Sequence, residues 1–275
     1  MKLTEDGGIT KYILVEGSGN SPKGGQEVIV EYTGKFLTGE IFDSSVPHTT
    51  PFKFVLGIGS VIKGWDIGIL TMKRGEKSRF RIESKYAYGE KGSLPKIPPN
   101  TCLEFEIELF DFYSKRKPVI DMELAERESL AEEYKKKGNE SFKLKKIKYA
   151  SYIYNEGIGV LRSIPHSQLT EKGKSLWISL RLNLCIILNS TDNWSETIKH
   201  AGEVIEKQEN HPKARYLRGI AKEGMKMYDE ALDDLEISLK GNPDDAKLKA
   251  EIESCKKKKK AVDMKEKKAF ANMFK

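Results

Sequence analysis

The sequence changes character at a short basic segment, Ser114-Lys115-Arg116-Lys117-Pro118, and this change limits the chain to folds with two unlike parts. Before the segment, turn residues separate short runs of alternating apolar residues, a pattern typical of strands. After it, glycine and proline become rarer and helix-forming residues dominate. We therefore predict a multidomain chain with a β-rich domain over 1–113, a linker and the start of the first helix over 114–128, and helices beyond.

The first part is predicted to hold short strands around one short helix. The clearest strand lies over 101–110, where apolar side chains from Leu103 to Leu109 alternate with glutamates. The other predicted strands cover 12–15, 27–36, 52–56 and 77–83. Strands joined by turns, with one helix between them, favour an α+β arrangement in which an antiparallel sheet folds over the helix.

The short helix is predicted over 61–69, within a glycine-flanked run that contains Trp65. Helical spacing places Val61, Trp65 and Ile69 on one face. A large indole on a short helix suits the floor of an apolar cleft. The same spacing also fits a core tryptophan on a connecting helix, and spacing alone leaves both interpretations open.

Composition gives no support for nucleic-acid binding, for a structural metal or for a membrane span. A net charge of +7, partly due to lysines near the C-terminus, does not by itself indicate nucleic-acid binding. The three cysteines are far apart and form no CxxC pair, which favours a reducing compartment and no structural metal. The sequence shows no apolar signal core in its first residues and no apolar run of about 20 residues, so we expect a cytoplasmic protein, with nuclear access as an alternative.

Six motifs of the first part occur in an order and spacing that resemble the FKBP-type peptidyl-prolyl isomerases. They are Val30-Glu31-Tyr32-Thr33-Gly34, Phe42-Asp43-Ser44-Ser45, Pro51-Phe52-Lys53-Phe54, Val61-Ile62-Lys63-Gly64-Trp65, Tyr86-Ala87-Tyr88-Gly89 and Ile97-Pro98-Pro99-Asn100. The resemblance covers roughly residues 5–113. It implies a five-stranded antiparallel sheet wrapped around the short helix, with an aromatic cleft that binds proline in client proteins and macrolides such as tacrolimus and rapamycin.

The resemblance also implies roles for individual residues. Trp65 would be the floor of the cleft, and its walls would be Tyr32, Phe42, Phe54, Val61, Ile62 and Phe105. The Ile62 N–H and the Tyr88 hydroxyl would donate hydrogen bonds to the substrate, and Asp43 would meet the twisted carbonyl or a ligand hydroxyl. The rim would add His48, Phe52 and Ile97. Rotation of an X-Pro bond needs no nucleophile, metal or proton relay, so no cofactor and no metal are expected.

Other interpretations and departures from the family accompany these roles. Tyr32 and Phe105 alternate as core residues would, and Asp43 would also fit a turn cap. The family often pairs the cleft aspartate with an arginine, but His48 stands at that position, which leaves Asp43 less well fixed if the pair is missing. Ser60 replaces a common acidic residue or glutamine, and Lys96 stands where an apolar residue is usual.

The second part repeats with a period of 34 residues, as Trp194 and Tyr228 show. This period resembles the tetratricopeptide repeat, and it predicts three repeats over 131–164, 175–209 and 213–246 within an all-α solenoid over 129–246. Each helix pair cannot bury its apolar stripe alone, so a final helix over 247–275 would cover the last pair.

The combination of the two parts resembles the large immunophilin co-chaperones. In those proteins the repeats bind the C-terminal Glu-Glu-Val-Asp peptide of the 90-kDa heat-shock chaperone through cations and amides. Four residues match this carboxylate clamp: Lys135, Asn139, Asn183 and Lys213. The fifth position is Leu217 rather than arginine, and Arg218 is shifted by about 100° around the helix. Each of the four would also fit a solvated helix face.

Three functions therefore compete. The cleft supports an isomerase, the repeats support a non-catalytic chaperone adaptor, and the basic end supports a calmodulin-responsive scaffold. The last rests on the lysine run 256–260 with Met264, Phe270 and Phe274 as anchors, although a solvated helix end fits the same residues.

Overall fold

The computed structural model describes residues 1–48 and 50–273, and their side chains as far as residue 267. The chain divides into two compact units between Asp121 and Met122. This division falls inside the segment 114–128. Among the described residues, no helix is both long and apolar enough to span a membrane.

The first unit is a six-stranded antiparallel sheet with a short helix. Its strands are β1 (Ile9–Val15), β2 (Glu27–Phe36), β3 (Ile41–Ser44), β4 (Phe52–Val55), β5 (Lys77–Ile82) and β6 (Leu103–Tyr113). The strand order is β1-β5-β6-β2-β3, and β4 also pairs with β2. The helix is α1 (Lys63–Ile69). The expected α+β arrangement is confirmed.

The expectation of five strands is wrong because β2 pairs with two short strands along one edge. Residues Glu27 to Val30 pair with β4, and residues Thr33 to Lys35 pair with β3. A strand of ten residues is long enough to serve both partners while its other edge pairs with β6. Sequence reasoning missed β3, whose four residues give too short a pattern to show alternation.

The apolar face of β6 is the centre of the core. Leu103, Ile107 and Leu109 are fully buried there, and Phe105 is nearly so. The glutamates of the opposite face pair across strands, as Glu106 does with Arg79 at 2.9 Å. The predicted alternation is therefore confirmed, and it holds the sheet in register because a one-residue slip would expose every apolar side chain.

Helix α1 begins two residues later than the sequence predicts. Ile62 is extended, with ψ 146°, and stands as the N-cap. Trp65 and Ile69 are buried on one face of the helix, as expected. Val61 precedes the helix rather than sharing that face, and this turns Val61 and Ile62 towards the entrance of a cavity described below.

The second unit consists of helices in antiparallel pairs. Its helices are α2 (Leu124–Lys143), α3 (Ile147–Leu161), α4 (Glu171–Ser190), α5 (Trp194–Lys207), α6 (Pro212–Gly224), α7 (Tyr228–Gly241) and α8 (Ala246–Met273). Each helix packs against the next, and α8 covers α7 with Leu248, Ile252 and Cys255. The three pairs and the final helix are consistent with tetratricopeptide repeats.

The first pair approaches closely because Gly138 of α2 lies against Tyr154 of α3. A Cβ at Gly138 would stand 2.4 Å from the Tyr154 ring, whereas a Cβ at Gly159 would meet nothing within 4 Å. We expect Gly138→Ala to lower the free energy of unfolding by about 1–3 kcal/mol through overpacking. Gly159→Ala should raise it by about 0.5–1 kcal/mol, since alanine favours the helix. Urea unfolding, monitored by far-UV circular dichroism, measures both free-energy changes. Changes of the same sign in the two variants would contradict the close contact between Gly138 and Tyr154.

Candidate functional site

The loop before α1 is organised by Asp66. Its carboxylate accepts hydrogen bonds from the amides of Gly57 and Gly59, at 2.8 and 3.1 Å. Both glycines have positive φ, 79° and 75°, which glycine adopts without strain. Ser60 Oγ donates to the Val55 carbonyl at 2.8 Å. These bonds place the next two residues at the mouth of a cavity; sequence reasoning missed the role of Asp66.

The cavity has a volume of about 210 Å³ and lies between α1, the sheet and the loop after β5. Its lining is Tyr32, Asp43, Phe52, Ser60, Val61, Ile62, Trp65, Tyr88 and Phe105. Eight of these nine are residues that the sequence proposed for the cleft, and Ser60 is the addition. Residues from strand, helix and loop segments far apart in sequence thus converge on one site.

The apolar part of the cavity is built around Trp65, which is 5% exposed. The ring centroids of Tyr32 and Phe105 lie 4.8 and 5.3 Å from the Trp65 ring, both edge-on. Phe54 lies 5.9 Å from Trp65 and is itself buried. Phe42 contacts Phe105 at 5.6 Å. Phe42 and Phe54 therefore support the lining aromatic rings and do not themselves line the cavity.

The polar part of the cavity is centred on Asp43. Asp43 Oδ2 accepts a hydrogen bond from the Tyr32 hydroxyl at 2.8 Å, and Oδ1 accepts one from the Ser44 amide at 3.1 Å. Burial, together with Asp43, raises the pKa of both Tyr32 and Tyr88. Both hydroxyls therefore remain protonated donors at neutral pH.

The cation beside Asp43 comes from an unexpected position. Lys96 Nζ lies 3.5 Å from Asp43 Oδ1. Among the described residues, no hydrogen bond or ion pair joins His48 to Asp43, and His48 is exposed. The cleft aspartate therefore has a basic partner after all, supplied by a loop rather than by the position the family uses. Ile97, which the sequence also predicts for the rim, is 3% exposed, packs in the core and does not line the cavity.

Two N–H groups at the cavity lack a protein acceptor among the described residues. The Ile62 amide, which lies just outside α1, takes part in no hydrogen bond. The Trp65 Nε1–H is buried and unpartnered. Buried donors are rarely left unsatisfied, because each costs free energy unless a partner is present. These two N–H groups are therefore available to donate hydrogen bonds to a ligand carbonyl.

The second unit carries a groove of about 580 Å³. Its lining is Lys135, Glu171, Lys174, Ser175, Ile178, Ser179, Leu182, Asn183, Gln208, His211 and Lys213. Three of the four predicted clamp residues line it. The fourth, Asn139, accepts hydrogen bonds from Asn183 Nδ2 at 3.0 Å and from the Tyr154 hydroxyl at 2.7 Å, so it orients Asn183. Sequence reasoning missed Lys174 and His211.

Leu217 and Arg218 do not contribute a cation to this groove. Leu217 is 5% exposed and lies in the helical core. Arg218 donates to both carboxylate oxygens of Asp234, at 2.7 and 2.8 Å. Asp234 is 1% exposed and also contacts Arg215 and Lys222. Arg218 therefore belongs to a buried ion cluster and is absent from the groove lining.

The basic run of α8 is partly neutralised by its neighbours. Lys258 contacts Glu223 at 2.7 Å, and Lys259 pairs with Asp229. Met264 is exposed. The side chain of Phe270 and all of Phe274 lie outside the described residues. Calmodulin binding thus stays a prediction.

Comparison with known proteins decides the family of the first unit. Residues 19–110 match the family model described as FKBP-type peptidyl-prolyl cis-trans isomerase. The chain carries an FKBP-type isomerase domain. This FKBP domain is 51% identical over 109 residues to the human peptidyl-prolyl cis-trans isomerase FKBP4, an alignment that covers 39% of this chain and 24% of that protein.

Two further relatives extend beyond the FKBP domain. The FK506-binding protein 5 of Rhizopus delemar is 32% identical over 241 residues, which cover 86% of this chain and 61% of that protein. A multi-domain immunophilin from Arabidopsis thaliana, known from a crystal structure, aligns with a TM-score of 0.41 at 28% identity, over 86% of this chain and 95% of that one. The chain spans 61% and 24% of the length of the two curated relatives.

Proposed function

We propose that the FKBP domain catalyses cis–trans isomerisation of X-Pro bonds in client proteins. The observation that carries this proposal is the apolar aromatic cavity around Trp65, in which the Ile62 N–H at the mouth and the Trp65 Nε1–H at the floor have no acceptor among the described residues. Rotation of an X-Pro bond breaks amide resonance against a barrier of about 18–20 kcal/mol. The twisted amide has less charge separation than the planar one, so a site that excludes water favours the twisted state.

The polar groups orient the substrate in this proposal. The Ile62 N–H receives a substrate carbonyl, and the Tyr88 hydroxyl donates a second hydrogen bond. Asp43 is held by Tyr32 and Lys96 where it can meet the twisted carbonyl or the hydroxyl of a macrolide. Catalysis then comes from the cavity residues, which desolvate the X-Pro amide and orient the substrate.

Exchange spectroscopy by NMR on a short proline peptide tests the activity with the intact chain. We expect exchange between the cis and trans peptide to accelerate with protein concentration, and to return to the uncatalysed rate when one equivalent of tacrolimus or rapamycin is added. Exchange that stays at the uncatalysed rate across all protein concentrations would reject the proposal.

We further propose that the helical unit docks on the C-terminal Glu-Glu-Val-Asp peptide of the 90-kDa heat-shock chaperone. Lys135, Lys213 and the Asn183 amide line one groove, and such donors suit the carboxylates of an extended acidic peptide. Asn139 supports this by fixing the Asn183 side chain. Because Leu217 supplies no cation, the groove should bind more weakly than a clamp with five polar members.

Calorimetric titration of the intact protein with a peptide ending in Glu-Glu-Val-Asp tests the docking. We expect micromolar binding that Lys135→Ala weakens by about tenfold, since a charge-assisted contact to carboxylate is lost. The matched control is Lys136→Ala, because Lys136 is 70% exposed, pairs with Glu132 and does not line the groove. Amidation of the peptide should also abolish binding. Equal binding by the two lysine variants would contradict the proposal.

A further inference from the structure

The loop over residues 89–100, here called the flap, presents Lys96 from a fixed backbone position. Ser93 and Ile97 exchange two backbone hydrogen bonds, each of 2.8 Å, and the Lys96 amide donates to the Ser93 carbonyl at 3.0 Å. The adjacent Ile97 is buried in the core of the domain. The main chain at Lys96 is therefore anchored on both sides, and only its side chain is free to move.

The Lys96 ammonium changes the charge of the cleft mouth. Among the described residues that line the cavity, Asp43 is the only one with a carboxylate, and none carries an ammonium or guanidinium group. Lys96 is 60% exposed and Asp43 43%, and their 3.5 Å contact is at the long end of a hydrogen bond. An ammonium has three donors, so Lys96 can contact Asp43 and a second carboxylate together. Asp43 keeps its hydrogen bond from Tyr32 in either case.

We propose that Lys96 is a specificity-determining residue of the cleft, selecting X-Pro segments with an acidic side chain next to the proline. The inference rests on the proposed isomerase activity. With Lys96 present, the mouth is neutral overall and its more exposed charge is positive. Without it, Asp43 would stand as an uncompensated negative charge, and the mouth would repel acidic side chains and attract basic ones.

The test uses the intact chain and two sets of proline peptides. One set varies the residue before the proline as Glu, Gln or Lys, and the other set varies the residue after it. In at least one set at low ionic strength, we expect kcat/KM for the Glu peptide to exceed that for the Lys peptide by about fivefold. The preference should shrink at about 0.5 M salt, where the Debye length falls well below 10 Å.

Variants of the flap test whether Lys96 alone causes the preference for the Glu peptide. Lys96→Ile should reverse the order so that the Lys peptide is preferred, while Lys96→Arg should keep the preference for Glu. Lys91→Ile removes the same charge from an exposed position of the same loop and should leave the preference unchanged. Turnover of the uncharged Gln peptide should stay within about twofold in Lys91→Ile, and in each variant it is the reference to which the rates of the Glu and Lys peptides are compared.

Two outcomes would overturn the inference: equal rates for the three peptides in both sets, or an unchanged Glu preference in Lys96→Ile. Absence of turnover with the Gln peptide would instead reject the isomerase proposal. In that case NMR chemical-shift titration measures the affinities of the same peptides, and the affinity of the Glu peptide is compared with that of the Lys peptide.

Discussion

Replacing Trp65 by leucine is expected to lower kcat/KM for a proline peptide by about 10- to 100-fold, a barrier increase of about 1.4–2.8 kcal/mol. Trp65 contacts Tyr32 and Phe105 edge-on and closes the cavity from below. Leucine keeps an apolar side chain but is smaller than indole, so water reaches the twisted amide and the edge contacts are lost. Exchange spectroscopy on intact protein measures the loss.

Matched variants separate loss of the cleft from loss of the fold. Trp65→Phe keeps an aromatic floor and should lose less activity than Trp65→Leu. Trp194→Leu makes the same substitution in the helical unit and should leave kcat/KM unchanged. An amide correlation spectrum shows whether the FKBP domain remains folded. Activity of folded Trp65→Leu within twofold of wild type would mean that the indole is not part of the catalytic environment.

Replacing Asp234 by alanine is expected to lower the unfolding free energy of the helical unit by about 3–5 kcal/mol. Asp234 is 1% exposed and accepts contacts of 2.7–2.9 Å from Arg215, Arg218 and Lys222. Its removal leaves three neighbouring cations without their shared counter-ion. Urea unfolding followed by far-UV circular dichroism measures the change, and Asp233→Ala, the exposed neighbour, should alter stability by less than about 0.5 kcal/mol.

The Asp234 contribution should also depend on pH. Burial alone raises the pKa of Asp234, but hydrogen bonds from Arg218, Arg215 and Lys222 outweigh burial and hold it below the ordinary value. A lowered folded-state pKa stabilises the protein fully above the unfolded pKa of about 4 and progressively less as the pH falls towards the folded value. The difference between wild type and Asp234→Ala should therefore be constant near neutral pH and shrink below about pH 4. A difference that grows in acid would contradict this assignment.

Much of the cleft could be predicted because its aromatic residues lie in motifs with recognisable order and spacing. Trp65, Tyr32, Phe105 and Tyr88 line the cavity as expected. The sequence predicts that Phe42 and Phe54 line the cleft, but both lie behind the rings that do. A motif identifies which residues are neighbours but not which ring reaches the cavity surface. The sequence predicts His48 for the rim because it stands where the family often has an arginine, yet it is exposed and does not contact Asp43 among the described residues.

The two-part architecture, the buried face of β6 and the pairing of helices could be predicted from the residues alone, because alternation and helical spacing are local properties that hydrophobic burial enforces. The pairing of the charged side chains, in contrast, became visible only in the folded chain. Lys96 reaches Asp43 across 53 residues, and Asp234 engages Arg218 and keeps it out of the groove. Such contacts depend on where a loop or a neighbouring helix places each side chain, and no hydrophobic period encodes that.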